Sequence, residues 1–135
     1  MRTVKSITLL AVIALFFGCS SDDNGSDSGP SNLELLFSGK WYQESSSSST
    51  YTACEKQTSF DFMASNALEV EVFDVSSGSC QSLGTNNASY SLTNDVDLVL
   101  TITGWTISGT IQSIDSDELV VLSSGETVTF DRNPG

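Results

Sequence analysis

The chain contains no histidine. That removes the side chain most used as a general base near neutral pH, and with it the usual nucleophilic triads and the commonest metal ligand. Basic residues are scarce as well: 5 Lys and Arg stand against 17 Asp and Glu, for a net charge of −12. A phosphate backbone is held by Lys and Arg, so this balance argues against nucleic acid, and against anionic lipid headgroups too. The acidity reads more simply as solubility and mutual repulsion. There is no apolar run of membrane-spanning length. The run from Ile7 to Phe17, broken only by Thr8, is about 11 residues, and a spanning helix needs about 20. No glycine-rich phosphate loop precedes a helix.

What is present begins with an address. Arg2 and Lys5 precede the apolar run, and Gly18-Cys19-Ser20-Ser21-Asp22-Asp23 follows it. That order is the plan of an export signal. A buried core helix is the alternative, but nothing after Gly18 continues a helical pattern. Leu15-Phe16-Phe17-Gly18-Cys19 resembles the lipobox of bacterial lipoproteins. The resemblance implies cleavage before Cys19, diacylation of its thiol and a third chain on its new amine. Each buried methylene contributes about 0.8 kcal/mol, so two or three chains hold firmly where one does not. An ordinary secretory signal with a chance cysteine is the competing reading. The acidic residues after Cys19 are similar to the signal that sends some Gram-negative lipoproteins to the cell surface. The expectation is therefore a lipid-anchored outer-membrane protein displayed at the surface, with a periplasm-facing position as the alternative.

Three segments follow: a signal over residues 1–18, the lipidated cysteine and an acidic tether over 19–30, and one domain over 31–135. Ser, Asp, Asn and Gly dominate Ser20 to Gly29 and cannot bury enough apolar area to fold. Cleavage would leave Lys40, Lys56 and Arg132 against all 17 acidic residues, a net charge of −14. About 105 residues make one domain with one core. With Cys19 taken by lipid, Cys54 and Cys80 remain as a pair for a disulfide in an oxidising compartment. Two reduced, buried cysteines are the alternative.

Ser31-Asn32-Leu33-Glu34 matches a capping box and predicts a short helix from Asn32 to about Phe37. After Gly39 no long helical period remains. Short runs of period two, rich in β-branched and aromatic residues, predict eight strands. They begin at Lys40, Gln57, Ala67, Ser89, Val96, Trp105, Glu118 and Thr127. Ser45 to Ser49 and Ser76 to Asn87 read as loops. Ala64-Ser65-Asn66, Asn94-Asp95, Asp115-Ser116-Asp117 and Ser123-Ser124-Gly125 read as hairpin turns. Sequential hairpins give an up-and-down meander, and eight strands close most easily as an antiparallel barrel without exposed edges. If the second and third strands fold back about Ser65, the position opposite Cys54 lies near Ser76, a few residues from Cys80.

A short helix leading into Gly39-Lys40-Trp41 at the first strand, with Arg132 in the last, resembles the lipocalins and their relatives. The cysteines before the second strand and after the third, Asp117-Glu118-Leu119-Val120 and Thr129-Phe130-Asp131-Arg132 resemble more narrowly the lipocalin-like domains of bacterial surface lipoproteins. This resemblance implies an all-β, eight-stranded lipocalin-like barrel and a packing of Arg132 across Trp41. It also implies non-covalent binding of a small apolar or amphipathic ligand. The chain is shorter than full-length lipocalins and has no helix after the barrel, which argues against a roomy cavity.

The residues expected to face inward and line such a site are Trp41, Phe60, Phe62, Val70, Val72, Leu98, Leu100, Trp105 and Ile107. Gly109, on the same face, would leave room for a neighbour or mark a strand bend. The competing expectation is a filled barrel that meets an envelope protein or a glycan through its loops. Neither reading involves a cofactor, a metal or catalysis. Acid–base chemistry would need carboxylates brought together, as hairpin pairing could do for Asp61, Glu69 and Glu71. Their alternation with apolar residues places them on the wet face instead. Asp115-Ser116-Asp117-Glu118 lacks the ligand count and glycine of a calcium loop.

Overall fold

Leu68, Val70 and Val72 alternate with Glu69 and Glu71, so a strand here has one apolar and one charged face. The same alternation recurs along the chain and closes it on itself. The computed structural model describes residues 29–135; the residues read as an export signal, Cys19 and most of the expected tether lie outside the described residues. Helix α1 (Asn32–Leu36) precedes β1 (Trp41–Ser46), β2 (Ser59–Phe62), β3 (Ala67–Ser76), β4 (Ser79–Thr93), β5 (Asp97–Ile102), β6 (Trp105–Ile114), β7 (Glu118–Ser123) and β8 (Glu126–Asp131). The strands pair in sequence order, all antiparallel, and β8 returns to β1 to complete a closed barrel. The expected fold class is therefore the observed one.

The turns carry the backbone signature that their residues predict. Asn94-Asp95, Ser124-Gly125 and Ser77-Gly78 each hold positive φ at both positions. That conformation matches the twist of the strands it joins. Asp115 works differently: its Oδ1 accepts the N–H groups of Asp117 and Glu118, both at 2.8 Å, and these bonds hold its carboxyl below the ordinary range. This acidic stretch is a turn closed by its own first residue.

Two readings require correction. Ser45 and Ser46, expected in a loop with Ser47 to Ser49, end β1 and pair with Thr129 and Val128 of β8. Ser76 to Asn87, expected as a loop, is the end of β3, a two-residue turn and most of β4, which runs 15 residues. Only Ser89–Thr93, the strand predicted there, pairs with β5; Ser79 to Ala88 pairs with β3 alone. The distal half of this hairpin projects past the barrel wall with both faces wet. Its apolar residues are few and exposed, Val75 and Leu83 standing among Ser, Gly, Asn and Gln, so no alternation marks it as a strand, and backbone pairing holds it extended.

The core runs down the barrel axis. Trp41, Leu36, Leu68 and Leu119 are fully buried, with Phe62, Val70, Leu98 and Ile111 packed among them. Phe62 meets Tyr90 edge-on at 5.0 Å and Phe60 meets Phe130 edge-on at 5.3 Å, the arrangement that ring quadrupoles prefer.

The two ends of the barrel differ. One end is sealed. The capping box at α1 forms as its sequence requires: Ser31 Oγ accepts from the Glu34 N–H, and Glu34 Oε2 accepts from the Ser31 N–H at 2.8 Å. The Asn32 side chain donates to the Asp95 carbonyl at 2.6 Å and fixes α1 across the β4–β5 turn. Trp41 Nε1 donates to the Leu36 carbonyl at 2.9 Å. The Arg132 guanidinium lies 3.3 Å over the Trp41 ring and donates to the carbonyls of Leu35, Gly39, Lys40 and Ser116 and to Ser38 Oγ. All five of its N–H groups are thus used. Among the described residues the opposite end, with the β3–β4 and β5–β6 turns, has no such plug.

Candidate functional site: the open mouth of the barrel

Apolar residues with nothing over them gather at the unsealed end. Val75 and Leu83 sit on the projecting hairpin, and Trp105 and Ile107 on the start of β6; their exposures run from 42% for Ile107 to 75% for Trp105. Between Leu83 and Ile107 opens a vestibule of about 390 Å³. Its floor is Phe60 and Ile107, its walls include Val70, Val72 and Ile102, and Glu55 and Asp74 stand among its lining residues with no Lys or Arg. Phe60 and Ile107 also bound a second void deeper in the barrel, lined by Phe62, Leu98, Leu100 and Trp41. That void holds about 40 Å³. It has room for about one water molecule, so the barrel interior is close to filled.

The residues expected to line a site therefore divide. Phe60 and Ile107 bound both spaces, Val70 and Val72 belong to the vestibule, and Trp41, Phe62, Leu98 and Leu100 to the deep void. Trp105 belongs to neither and requires correction. It shares a strand face with Ile107, Gly109 and Ile111, but it pairs with Ile102 at the last rung before the β5–β6 turn. On its other side β6 pairs with β7 only from Thr110 onward, so no neighbouring strand backs the indole there, and it stands exposed at the rim. Gly109 serves a close approach: a Cβ there would lie 2.7 Å from Val121 Cγ1 and 3.0 Å from the Leu122 carbonyl oxygen.

Several vestibule residues were not anticipated. Phe73 follows Val72 directly and breaks the alternation, and a bulge stands at that point, where Val72 pairs with Gly84 and Phe73 with Ser82. Leu83 is the extra residue. Gly84, with φ +103°, supplies the backbone the bulge needs, and Leu83 lines the vestibule. Two consecutive apolar residues facing a Leu-Gly pair were the available signal.

Two devices hold the rim. Cys54 and Cys80 are disulfide-bonded with Cα atoms 5.4 Å apart, tying the β1–β2 connection to the projecting hairpin. Thr58 Oγ1 accepts from the Phe73 N–H at 3.1 Å, occupying part of the β3 edge. Cys80 is thus in a strand opposite Val75. Lys56 is paired with Glu44 at 2.6 Å. Glu55 accepts from the Thr52 N–H at 2.7 Å, which holds its carboxyl below the ordinary range and keeps it charged at neutral pH.

Asp61 and Glu69 pair directly across β2 and β3, and Glu71 pairs with Ser59, all on the outer face. They do not converge on a cleft. Among the described residues no three His, Cys, Asp or Glu side chains are grouped to hold a metal ion, and no helix is long and apolar enough to cross a membrane. Every buried side-chain nitrogen and oxygen among them has a hydrogen-bond partner. The interior thus presents no unpaired polar atom, and the distinctive chemistry is at the mouth.

The comparisons agree with this architecture. The chain is similar to a solved lipocalin-like protein from Bacteroides uniformis, with a TM-score of 0.54 at 12% identity, covering 73% of this chain and 99% of that one. At that identity the likeness concerns the fold. No curated protein matches the chain. The family model described as a lipocalin-like domain matches residues 37–121, more than half the chain, from two residues before Gly39 into β7. The chain is a member of the lipocalin-like domain family.

Proposed function

We propose that this barrel binds a small apolar or amphipathic molecule, non-covalently, at its open mouth. The observation that carries the reading is the vestibule: about 390 Å³, floored by Phe60 and Ile107 and walled in large part by apolar side chains, at the end of the barrel opposite α1. That volume falls in the range of small-molecule sites. The nearly filled interior means that the ligand rests on Phe60 and Ile107 and does not thread the barrel. Membership of the lipocalin-like family supports binding over catalysis. The test is native mass spectrometry of the exported Cys19→Ser chain after incubation with an apolar extract of its own cells. An adduct that survives mild activation, and that Ile107→Trp abolishes by filling the vestibule, is the expected result. A bare mass throughout would overturn the reading.

The anchor is the second part of the proposal. Leu15 to Cys19 supports lipid on Cys19, and the acidic residues after it support display on the outer membrane. Labelling with a radioactive fatty acid tests the first, with Cys19→Ser expected to lose the label. Protease treatment of intact cells tests the second.

One observation favours a different use of the same end. Trp105 is 75% exposed and Leu83 60% exposed, as an aromatic contact for an envelope protein or glycan would be. Absence of any small-molecule adduct, together with loss of a partner on Trp105→Ala, would move the function to the rim.

A further inference from the structure

We infer that the mouth selects amphiphiles whose head group is cationic. The inference rests on the vestibule being a ligand site, and adds the sign of what enters it. Glu55 and Asp74 line the space, and no basic residue does. The described residues contain three cations, and each is spoken for or distant: Arg132 is spent on the sealed end, Lys56 is paired with Glu44, and Lys40 adjoins the sealed end, before β1. A fatty-acid carboxylate at this rim would meet two like charges and no counter-charge. An ammonium head would meet two carboxylates while its chain lay on Phe60 and Ile107. The wall and the charge together therefore specify one orientation, tail down and cation at the rim. The exposed indole of Trp105 stands at the same rim and offers a further face to an ammonium group.

The experiment compares three probes of equal chain length, each below its micelle concentration: dodecyltrimethylammonium, dodecanoate and dodecanol. Each is titrated into the exported Cys19→Ser chain, with binding read by calorimetry. Dodecyltrimethylammonium is expected to bind about tenfold more tightly than dodecanoate at low salt, as two partly exposed ion pairs allow. The margin is expected to shrink in 0.5 M salt, since exposed charges are screened there. Glu55→Gln with Asp74→Asn keeps hydrogen-bond acceptors for the Thr52 and Val75 N–H groups and is expected to remove the preference. Dodecanoate binding as tightly as the cation, or a preference indifferent to salt, would overturn the inference while the site stood. Failure of all three probes would remove the site itself. The salt series uses the unsubstituted mouth, so the inference is tested even if the double variant fails to fold.

Discussion

Arg132 does at one position what several residues do elsewhere. Its five donors satisfy the end of α1, the approach to β1 and the β6–β7 turn, while its plane covers Trp41. Burial presses its pKa downward, and the nearby Asp117 carboxylate pushes it back up. Arg132→Ala is expected to cost about 3 kcal/mol in urea unfolding, because it strips carbonyls of charge-assisted partners and uncovers an indole. Arg132→Lys is expected to restore less than half of that, since an ammonium has three donors and no plane. Equal stability of the lysine variant and the parent would contradict the geometry. The partnership of Gly39, Trp41 and Arg132 was legible in the sequence, because each type is specific for its task and their order along the chain is informative. Trp105 was not. Strand parity tells which face a residue occupies, and says nothing about whether the wall opposite still exists at that height.

At the scale of elements, α1 is five residues long and depends on its cap. Hydrogen bonds from Ser31, backbone first and side chain second, lower the Glu34 pKa from its ordinary 4.5. A depressed carboxylate contributes stability above its unfolded pKa and loses it as pH falls through the folded value. The cap is therefore fully formed at neutral pH and fades below about pH 4.5. NMR titration should place the Glu34 midpoint below 4.5, and Ser31→Ala should return it toward that value and cost about 1 kcal/mol. The helix was readable because capping is local chemistry.

The β3–β4 hairpin was readable only where it touches the core. Its projecting half obeys no burial, so its sequence carries turn residues and no period. The disulfide stabilises this half: with cysteines 26 residues apart, the chain-entropy estimate is about 3.5 kcal/mol. Cys54→Ser with Cys80→Ser should lose stability of that order. Hydrogen exchange should rise first over residues 73–84 and in the β1–β2 connection, with the sealed end unchanged. Uniform acceleration across the barrel would show instead that the bridge supports the whole fold.

The whole molecule is a closed sheet carrying a strongly one-signed charge. Residues 29–135 hold three basic against fourteen acidic side chains. Self-repulsion of this kind opposes the compact state and is screened by salt. The midpoint of thermal unfolding at pH 7 should rise by a few degrees between 10 mM and 0.5 M sodium chloride; a fall would mean that ion pairs such as Lys56–Glu44 outweigh the repulsion. Closure itself was legible, since eight alternating runs joined by short turns leave few other solutions. That one end would be blind and the other open followed from no single motif. It arises from the meeting of α1 with Arg132, which the chain separates by about a hundred residues.

The blind end has a kinetic meaning. A vessel with a single opening cannot be flushed through: a newcomer has no back door by which to expel the occupant. A guest of the kind proposed would therefore come and go by the same face, with nothing to push it out from behind. The polypeptide also enters the barrel at the blind end, in front of α1, and the cup therefore opens on the side away from that point of entry.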